Sequence, residues 1–287
     1  MAQSQYKVLC LIFSLPVIFF SSNCFAQKIK AVGTGQTTGH VATLFVTNNS
    51  KELLVLKLGP FLIPSTKKFQ GYGVPDIYQL NISPDSTLKI PLRGFCTNPF
   101  IPPTGAGEDL PPFSQWVKTS DLPSLTPEMV LTPQNGFFRN AQGTQSGTFI
   151  STYPGTDTPF HYTIDIDKHP ESAATFIIDL IHAVESTYER LEIEGQISTP
   201  YAQDPLRQKE AVIQQVIWYV LGILTGNDYD REDFAENVIR QYETDTQTNL
   251  DTAAPEIREQ LDEGINNFWD TFTLVGVEAK VLKTKSE

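Results

Sequence analysis

The sequence is poor in positive charge, in cysteine and in long apolar runs. Its 287 residues carry 21 lysines and arginines against 33 aspartates and glutamates, a formal net charge of −12. Because nucleic acids and anionic membrane surfaces are bound by basic faces, this balance argues against both as partners. Beyond the N-terminal region, no apolar stretch has the length of a membrane-spanning helix. We therefore expect no nucleic acid as a partner and no membrane span in the mature chain.

Residues 1–26 have the pattern of a cleavable secretory signal peptide. Lys7 precedes an apolar run over residues 8–20, and small and polar residues then lead to Ala26. The run is too short to span a bilayer as a stable helix, and a small residue precedes the predicted cleavage site. A lipoprotein signal with Cys24 as the lipidated residue is disfavoured, because Ser21 stands where such signals carry an apolar residue. We predict a chain that is secreted or held at the cell surface.

Cysteine is nearly absent from the predicted mature chain. Cys10 and Cys24 belong to the signal peptide, which leaves Cys96 alone. A single cysteine excludes an internal disulfide, and a lone thiol in an oxidising compartment is exposed to oxidation. Three explanations stay open: a buried inert core residue, an intermolecular disulfide, or a chemical role.

The spacing of apolar residues predicts an α+β fold, a β-sandwich or barrel with an inserted helical subdomain. Residues 27–169 are expected to be mainly β, with one hairpin formed by residues 41–46 and 53–58 and another by residues 77–82 and 87–92. Eight prolines between residues 98 and 134 disfavour both sheet and helix, so a long proline-rich loop is expected there.

Helical periodicity begins near Pro170 and continues to about Phe272, which predicts a helical subdomain over residues 170–272. Residues 274–282 alternate like a strand, so residues 273–287 are expected to form a strand that returns to the sheet, followed by a tail.

No metal or cofactor is expected. The four histidines show no metal-ligand spacing with one another or with the cysteine; they are His40, His161, His169 and His182. The acidic run 227–233 lacks the glycine that a calcium loop needs at its sixth position, and its carboxylates suit the start of the helix that holds Phe234. A cysteine hydrolase stays possible, because its partners need only meet in space.

Gln214 occupies an unusual place in the most apolar helical segment. It shares a face with Ala211, Trp218 and Leu221, whereas Gln215 is expected on the polar side. An amide in apolar surroundings costs stability unless it has a hydrogen-bond partner. A bond from Gln214 to a loop backbone is one explanation, and a chemical role is another.

Two short motifs together resemble those of the internal-thioester domains of bacterial surface adhesins. Phe95 and Cys96 fit a motif in which an aromatic residue or leucine precedes the cysteine. Residues 213–217, Ile-Gln-Gln-Val-Ile, fit an apolar–Gln–polar–apolar–apolar motif, and Trp218 follows it. The order of cysteine before glutamine is similar, and so is the plan of a β fold bearing a helical subdomain. The resemblance covers most of the mature chain as architecture, and the two motifs alone as sequence.

The resemblance implies that Cys96 and Gln214 are joined in a thioester. Transfer of the Gln214 acyl group to an amine would then capture a partner covalently, once and without turnover, so the protein would not be an enzyme in the usual sense. The partner would be a protein or another amine-bearing surface ligand. Phe95, Trp218 and Tyr219 would shield the bond from water. A non-covalent recognition module, with Cys96 as a buried core residue, is the main alternative, and the cysteine hydrolase is a further one.

The signal-peptide hypothesis predicts the N-terminus of the exported protein. N-terminal sequencing should begin at or near Gln27, because the small residue Ala26 marks the cleavage site. A mature form that retains Met1, or one that is lipidated on Cys24, would contradict it.

Overall fold

The computed structural model describes residues 27–66, 68–98, 101–120, 130–139, 145–152, 159–163, 168–197, 205–221 and 230–282. For residues 130–139, 145–152 and 159–163 it describes the backbone alone. Residues 1–26, to which the signal-peptide prediction refers, lie outside this part. Within it, eleven strands precede four helices, so the predicted α+β class is confirmed.

The strands form three antiparallel sheets. They are β1 (Gln27–Gly33), β2 (Thr38–Asn48), β3 (Leu54–Leu58), β4 (Phe61–Ile63), β5 (Tyr72–Val74), β6 (Tyr78–Ile82), β7 (Ser86–Cys96), β8 (Val117–Lys118), β9 (Val130–Arg139), β10 (Gln145–Thr152) and β11 (Pro159–Thr163). The largest sheet has the order β1-β2-β7-β5-β4-β8 and curls into a half-barrel. Strands β3 and β6 form a second sheet, and β11-β10-β9 form a third.

The four helices begin where local chemistry favours a helix start. They are α1 (Pro170–Ile193), α2 (Pro205–Val220), α3 (Arg231–Thr246) and α4 (Pro255–Glu278). Proline opens α1 and α4, where its missing N–H costs nothing. Asp230 caps α3 in a capping box with Asp233, so acidic residues serve this helix start as predicted. None of the helices described is long and apolar enough to cross a membrane.

The core has two parts, one on each face of the six-stranded sheet. Successive side chains of a strand point to opposite faces. Phe61 and Ile63 of β4, with Tyr72 of β5, therefore join the apolar cluster shared with β3 and β6. Leu62 of β4 and Phe95 of β7 join the cluster made by α1, α2 and α4. The sheet thus lies between a small β layer and a helical layer.

Gly73 lets α1 lie directly on the sheet. It pairs with Leu62 on β4 and with Phe95 on β7, in the middle of the face that carries the helices. A Cβ at this position would stand 2.7 Å from Cδ1 of Ile181 and 2.8 Å from Cγ2 of Ile177. Helix α2 packs on α1 and also contacts β2 and β7. The close packing of α1 on the sheet therefore helps to hold α2 above the end of β7.

The two predicted hairpins are wrong, although all four strands exist. Strand β3 pairs with β6 and not with β2, while β7 pairs with β2 and β5 and not with β6. The chain crosses between the two β layers at both turns, and Asn48 links the crossings. Its Nδ2 donates to the carbonyls of Glu52 (2.8 Å) and Ile82 (2.9 Å). A turn pattern shows where the chain reverses, but not which layer the next strand joins.

The predicted loop over residues 98–134 is partly wrong. Strand β8 adds to the six-stranded sheet, and Phe113–Gln115 forms a 3₁₀ turn. Strand β9 begins at Val130 and includes Pro133. It lies at the edge of its sheet, where the missing N–H of proline is tolerated. Residues 99–100 and 121–129 of the predicted loop lie outside the described residues.

The predicted return strand over residues 274–282 is also wrong, because α4 continues to Glu278. Phe272, Val275 and Ala279 are buried in the helical core at spacings of three and four residues, and this stripe outweighs the apparent alternation. Lys280, with φ at 62°, then closes the helix end in a Schellman motif. The described residues that follow α4, up to Leu282, form no strand that would return to the sheet and mark the helices as an insertion. Residues 283–287 lie outside the described part.

The contact between Gly73 and α1 predicts a stability difference between two glycine substitutions. Gly73→Ala should lower the free energy of unfolding by about 1–3 kcal/mol, because the methyl group must displace Ile177 and Ile181. Gly264→Ala in α4 should raise it by about 0.5–1 kcal/mol, since its Cβ would meet no heavy atom within 4 Å and alanine favours the helix. Urea unfolding followed by circular dichroism measures both, and a neutral Gly73→Ala would contradict this packing.

Candidate functional site

Strand β7 places Cys96 where one side of the sheet ends. On the β5 side the ladder continues, since the N–H of Thr97 donates to the carbonyl of Gly71 at 3.0 Å. On the β2 side the pairing ends at Phe95 opposite Thr38, the first residue of β2. Hydrogen-bonding directions alternate along an antiparallel strand. The N–H and C=O of Cys96 therefore point to the β2 side, beyond the start of that strand.

Helix α2 supplies the missing partner through Gln214. The backbone N–H of Cys96 donates to Oε1 of Gln214 at 2.7 Å, and Nε2 of Gln214 donates to the carbonyl of Cys96 at 2.9 Å, across 118 residues of sequence. The side-chain amide thus pairs with Cys96 as the next peptide group of a strand would. Cys96 is 0% and Gln214 3% exposed, so these bonds are shielded from water. The two residues singled out by the sequence are brought together.

The Cys96 thiol is protonated and protected in this arrangement. It donates to Oε1 of Gln70 at 2.9 Å and accepts the backbone N–H of Asn98 at 3.2 Å. Burial raises the pKa of Cys96 to about 12, against smaller effects of the Asn98 N–H and the Trp218 indole that favour the thiolate. By its geometry the indole Nε1 has no hydrogen-bond partner among the described residues, so the donor that bonds the sulfur is the Asn98 N–H. At neutral pH the group is a thiol with little thiolate character.

Gln70 is a site residue that sequence reasoning missed. It lies in the segment before β5, is 3% exposed, and no periodicity or motif marks it. Its Nε2 donates to the hydroxyl of Tyr72 at 3.1 Å. That hydroxyl donates to the carbonyl of Gln36 at 3.2 Å and also accepts the N–H of Thr104. Only the pairing of β5 with β7 brings Gln70 to the thiol, so a single sequence offers no signal for it.

The Tyr72 hydroxyl fixes which way the Gln70 amide faces. A hydroxyl has one proton, and that of Tyr72 is used on Gln36. Tyr72 can therefore only accept from Gln70, which turns Nε2 of Gln70 toward Tyr72 and Oε1 toward the Cys96 sulfur. The side-chain acceptor next to the thiol is an amide carbonyl held in one orientation.

The three predicted shielding residues have different surroundings. Phe95 is fully buried in the helical core beside the site. Trp218, one helical turn after Gln214, is partly exposed but has a buried Nε1. Tyr219 packs against Phe272 of α4, with ring centroids 5.8 Å apart. Packing around the site thus comes from Phe95 and Trp218, while Tyr219 contributes to the contact between α2 and α4.

Charged side chains tie together the elements that carry the site. Arg93 of β7 donates to Asp76 at 2.7 Å and to Glu185 of α1 at 2.7 Å. Glu185 also pairs with Lys209 of α2 at 3.4 Å. Burial acts to raise the pKa of Glu185, but Arg93 and then Lys209 outweigh it, so that this pKa is lowered. One ionised carboxylate therefore links the strand of Cys96 to the helix of Gln214.

The other predicted candidates lie apart from Cys96. His40 contacts Thr43, and His182 contacts the carbonyl of Pro75, so neither hydrogen-bonds the thiol. The side chain of His161 lies outside the described part. Gln215, expected on a polar face, instead lines an apolar groove between α3 and α4. In the described ranges, no cluster of three His, Cys, Asp or Glu residues is arranged to hold a metal ion.

Comparison of the chain with models of protein families, with curated proteins and with solved structures finds no match.

The buried thiol predicts a pH dependence of stability. Folding raises the pKa of the buried Cys96 thiol from 9.0 to about 12 in the native site, chiefly through burial, and Gln214→Ala keeps this residue as a thiol that can titrate. The folded state then binds this proton more tightly than the unfolded state, so the stabilisation is complete below pH 9 and is lost as the pH rises toward 12. The free energy of unfolding of Gln214→Ala should therefore fall more steeply over this window than that of the double variant Cys96→Ala/Gln214→Ala. Parallel curves from denaturant titrations would contradict the prediction.

Proposed function

We propose that Cys96 and Gln214 form an internal thioester through which the protein captures an amine-bearing partner covalently. The observation that carries the proposal is the pair of hydrogen bonds between the Gln214 amide and the Cys96 peptide group, across 118 residues and in a buried site. A side chain that satisfies a strand end would need no cysteine beside it. Here the one cysteine of the predicted mature chain is the residue whose backbone holds the amide.

Thioester formation is an acyl transfer within the chain. The sulfur of Cys96 attacks Cδ of Gln214, the Sγ–Cδ bond forms and the Cδ–Nε2 bond breaks. The thiol proton leaves with Nε2 as ammonia, so no oxidant or metal is needed. Holding both groups in one place replaces a bimolecular encounter by an effectively unimolecular step.

The backbone of Cys96 is placed to assist this step. Its N–H already donates at 2.7 Å to Oε1 of Gln214, the atom that becomes the oxyanion of the tetrahedral intermediate. Its carbonyl holds Nε2, the leaving nitrogen, at 2.9 Å. The orientation of the amide is thus fixed at both ends before the attack.

Burial slows the formation of the thioester and protects it from hydrolysis once it has formed. A thiol with a raised pKa is a weak nucleophile, so formation suits a single event during maturation rather than rapid turnover. The same burial keeps water from the thioester once it has formed. A partner amine reaches it when neighbouring segments move apart, takes the acyl group of Gln214, and leaves Cys96 as a thiol.

The partner class follows from this chemistry and from charge. The nucleophile is an amine, such as a lysine side chain, on a protein or another surface ligand. The net charge of −12 attracts cationic groups of this kind. For a chain with a secretory signal, such capture would attach it to a surface outside the cytoplasm. The two-layered β part and the helical layer are compatible with the plan of a β fold bearing a helical subdomain that the resemblance implies.

A non-covalent recognition module is the second candidate. It is favoured by the hydrogen bonds themselves, because both the Gln214 amide and the Cys96 thiol have partners without a covalent link. A cysteine hydrolase is less well supported, since no histidine side chain in the described part hydrogen-bonds Cys96 and burial suppresses its thiolate.

Intact-mass measurement decides between capture and non-covalent recognition. Freshly purified mature protein, handled without amines, should be lighter than its sequence by one ammonia. Methylamine should then add one molecule of methylamine and expose one thiol that can be alkylated after denaturation. Peptide mapping should locate the methylamide on Gln214. A full sequence mass with an alkylatable Cys96 in the untreated protein would leave the non-covalent module as the function.

Matched variants test whether the two residues act as a pair. Cys96→Ala and Gln214→Ala should each restore the full mass expected from their sequences and abolish the reaction with methylamine. Gln215→Ala removes the neighbouring amide, which faces the groove between α3 and α4, and should keep both effects. A methylamide found on Gln70, which also contacts the sulfur, would reassign the acyl donor and contradict the pairing with Gln214.

A further inference from the structure

The carbonyl oxygen of Gln70 stands beside the reacting sulfur and has no role in the proposed bond itself. It accepts a hydrogen bond from the Cys96 thiol, with 2.9 Å between Sγ and Oε1, and the hydrogen bond to Tyr72 prevents the amide from turning over. Gln70 is 3% exposed, and its backbone N–H is held by the carbonyl of Pro102 at 3.0 Å. The acceptor is therefore rigid, buried and aimed at Cys96.

Thioester formation would remove the donor that this acceptor uses. The sulfur of a thioester carries no proton, so Oε1 of Gln70 would become a buried acceptor without the S–H that it now binds. An unpaired buried acceptor is unfavourable, and it favours any incoming group that brings a proton to the same place. This step rests on the proposed function of Cys96 and Gln214.

We infer that Gln70 is a catalytic residue that recognises the N–H of the attacking amine. The amine nitrogen attacks Cδ of Gln214 with one N–H donated to Oε1 of Gln70. The Cδ–N bond forms, the Cδ–Sγ bond breaks, and one amine proton passes to the sulfur of Cys96. The resulting thiol donates to Oε1 of Gln70, which is the hydrogen bond seen in the structure.

The chemistry of the site favours this assignment. No carboxylate or imidazole in the described part hydrogen-bonds the Cys96 sulfur, whose hydrogen-bond partners are the Gln70 carbonyl and the Asn98 N–H. An amine that attacks a carbonyl develops positive charge on nitrogen, and a fixed carbonyl dipole stabilises that charge. Gln70 thus accepts a hydrogen bond throughout the reaction, first from the N–H of the amine and then from the S–H of Cys96, without becoming protonated.

The test compares methylamine opening of the thioester in four proteins. These are the native chain, Gln70→Met, Gln70→Glu and the control Gln215→Met, which makes the same change away from the sulfur. Intact mass first gives the fraction of each protein that has lost ammonia, and the rate of methylamine addition is then measured for that fraction. Circular dichroism and melting temperature establish that each variant is folded.

We expect Gln70→Met to open about tenfold to a hundredfold more slowly than the native chain, the effect of losing one hydrogen bond to a developing charge. Gln70→Glu keeps an acceptor oxygen at the same distance along the side chain, and should open at least as fast as the native chain. Gln215→Met should open at the native rate.

The outcomes separate this inference from the function on which it rests. A native chain that shows the ammonia loss together with Gln70→Met at the native rate would overturn the role of Gln70 and leave the thioester in place. A native chain without the ammonia loss would overturn both. Should Gln70→Met not fold, Gln70→Glu carries the test, and opening tenfold slower than native in that variant would overturn the role.

Discussion

The pairing of the Gln214 side-chain amide with the Cys96 peptide group is the interaction on which the site depends. It is a tertiary substitute for a strand, since β2 begins one position too late to satisfy the end of β7. A buried peptide group without partners would be costly, and a buried amide would be equally so, but each removes the cost of the other. The same contact places an electrophilic carbon beside the one cysteine of the predicted mature chain.

Several distant features serve to hold that contact. Gly73 lets α1 approach the sheet, and α1 supports α2. Glu185 links Arg93 on β7 to Lys209 on α2, so the strand and the helix are joined by charge as well as by packing. These interactions act on whole strands and helices rather than on the two side chains of the proposed thioester. Precise positioning is what intramolecular acyl transfer requires, because a misplaced amide loses the advantage of a fixed geometry.

The site combines groups that would oppose and groups that would favour the proposed thioester formation. Burial keeps Cys96 protonated, so that little thiolate is available for side reactions, while in the proposed thioester step the backbone N–H at Oε1 of Gln214 would favour attack on Cδ. Gln70 adds an acceptor whose orientation is set through Tyr72 and Gln36, and these residues lie outside both sequence motifs. A neutral amide in this place binds a proton donor without adding a charge to the core.

The sequence by itself determined the class of the fold, the starts of α1 and α3, and the candidate pair Cys96 and Gln214, because periodicity, helix-start residues and composition are local patterns. Only the tertiary structure decided how the strands pair, since the two turns that look like hairpins cross between layers held by Asn48. The expected final strand is instead the end of α4, because the burial of Val275 and Ala279 in the helical core outweighs the alternation of apolar and polar residues. Gln70 enters the site for the same reason, because hydrogen bonding between β5 and β7 brings together residues that no local pattern relates.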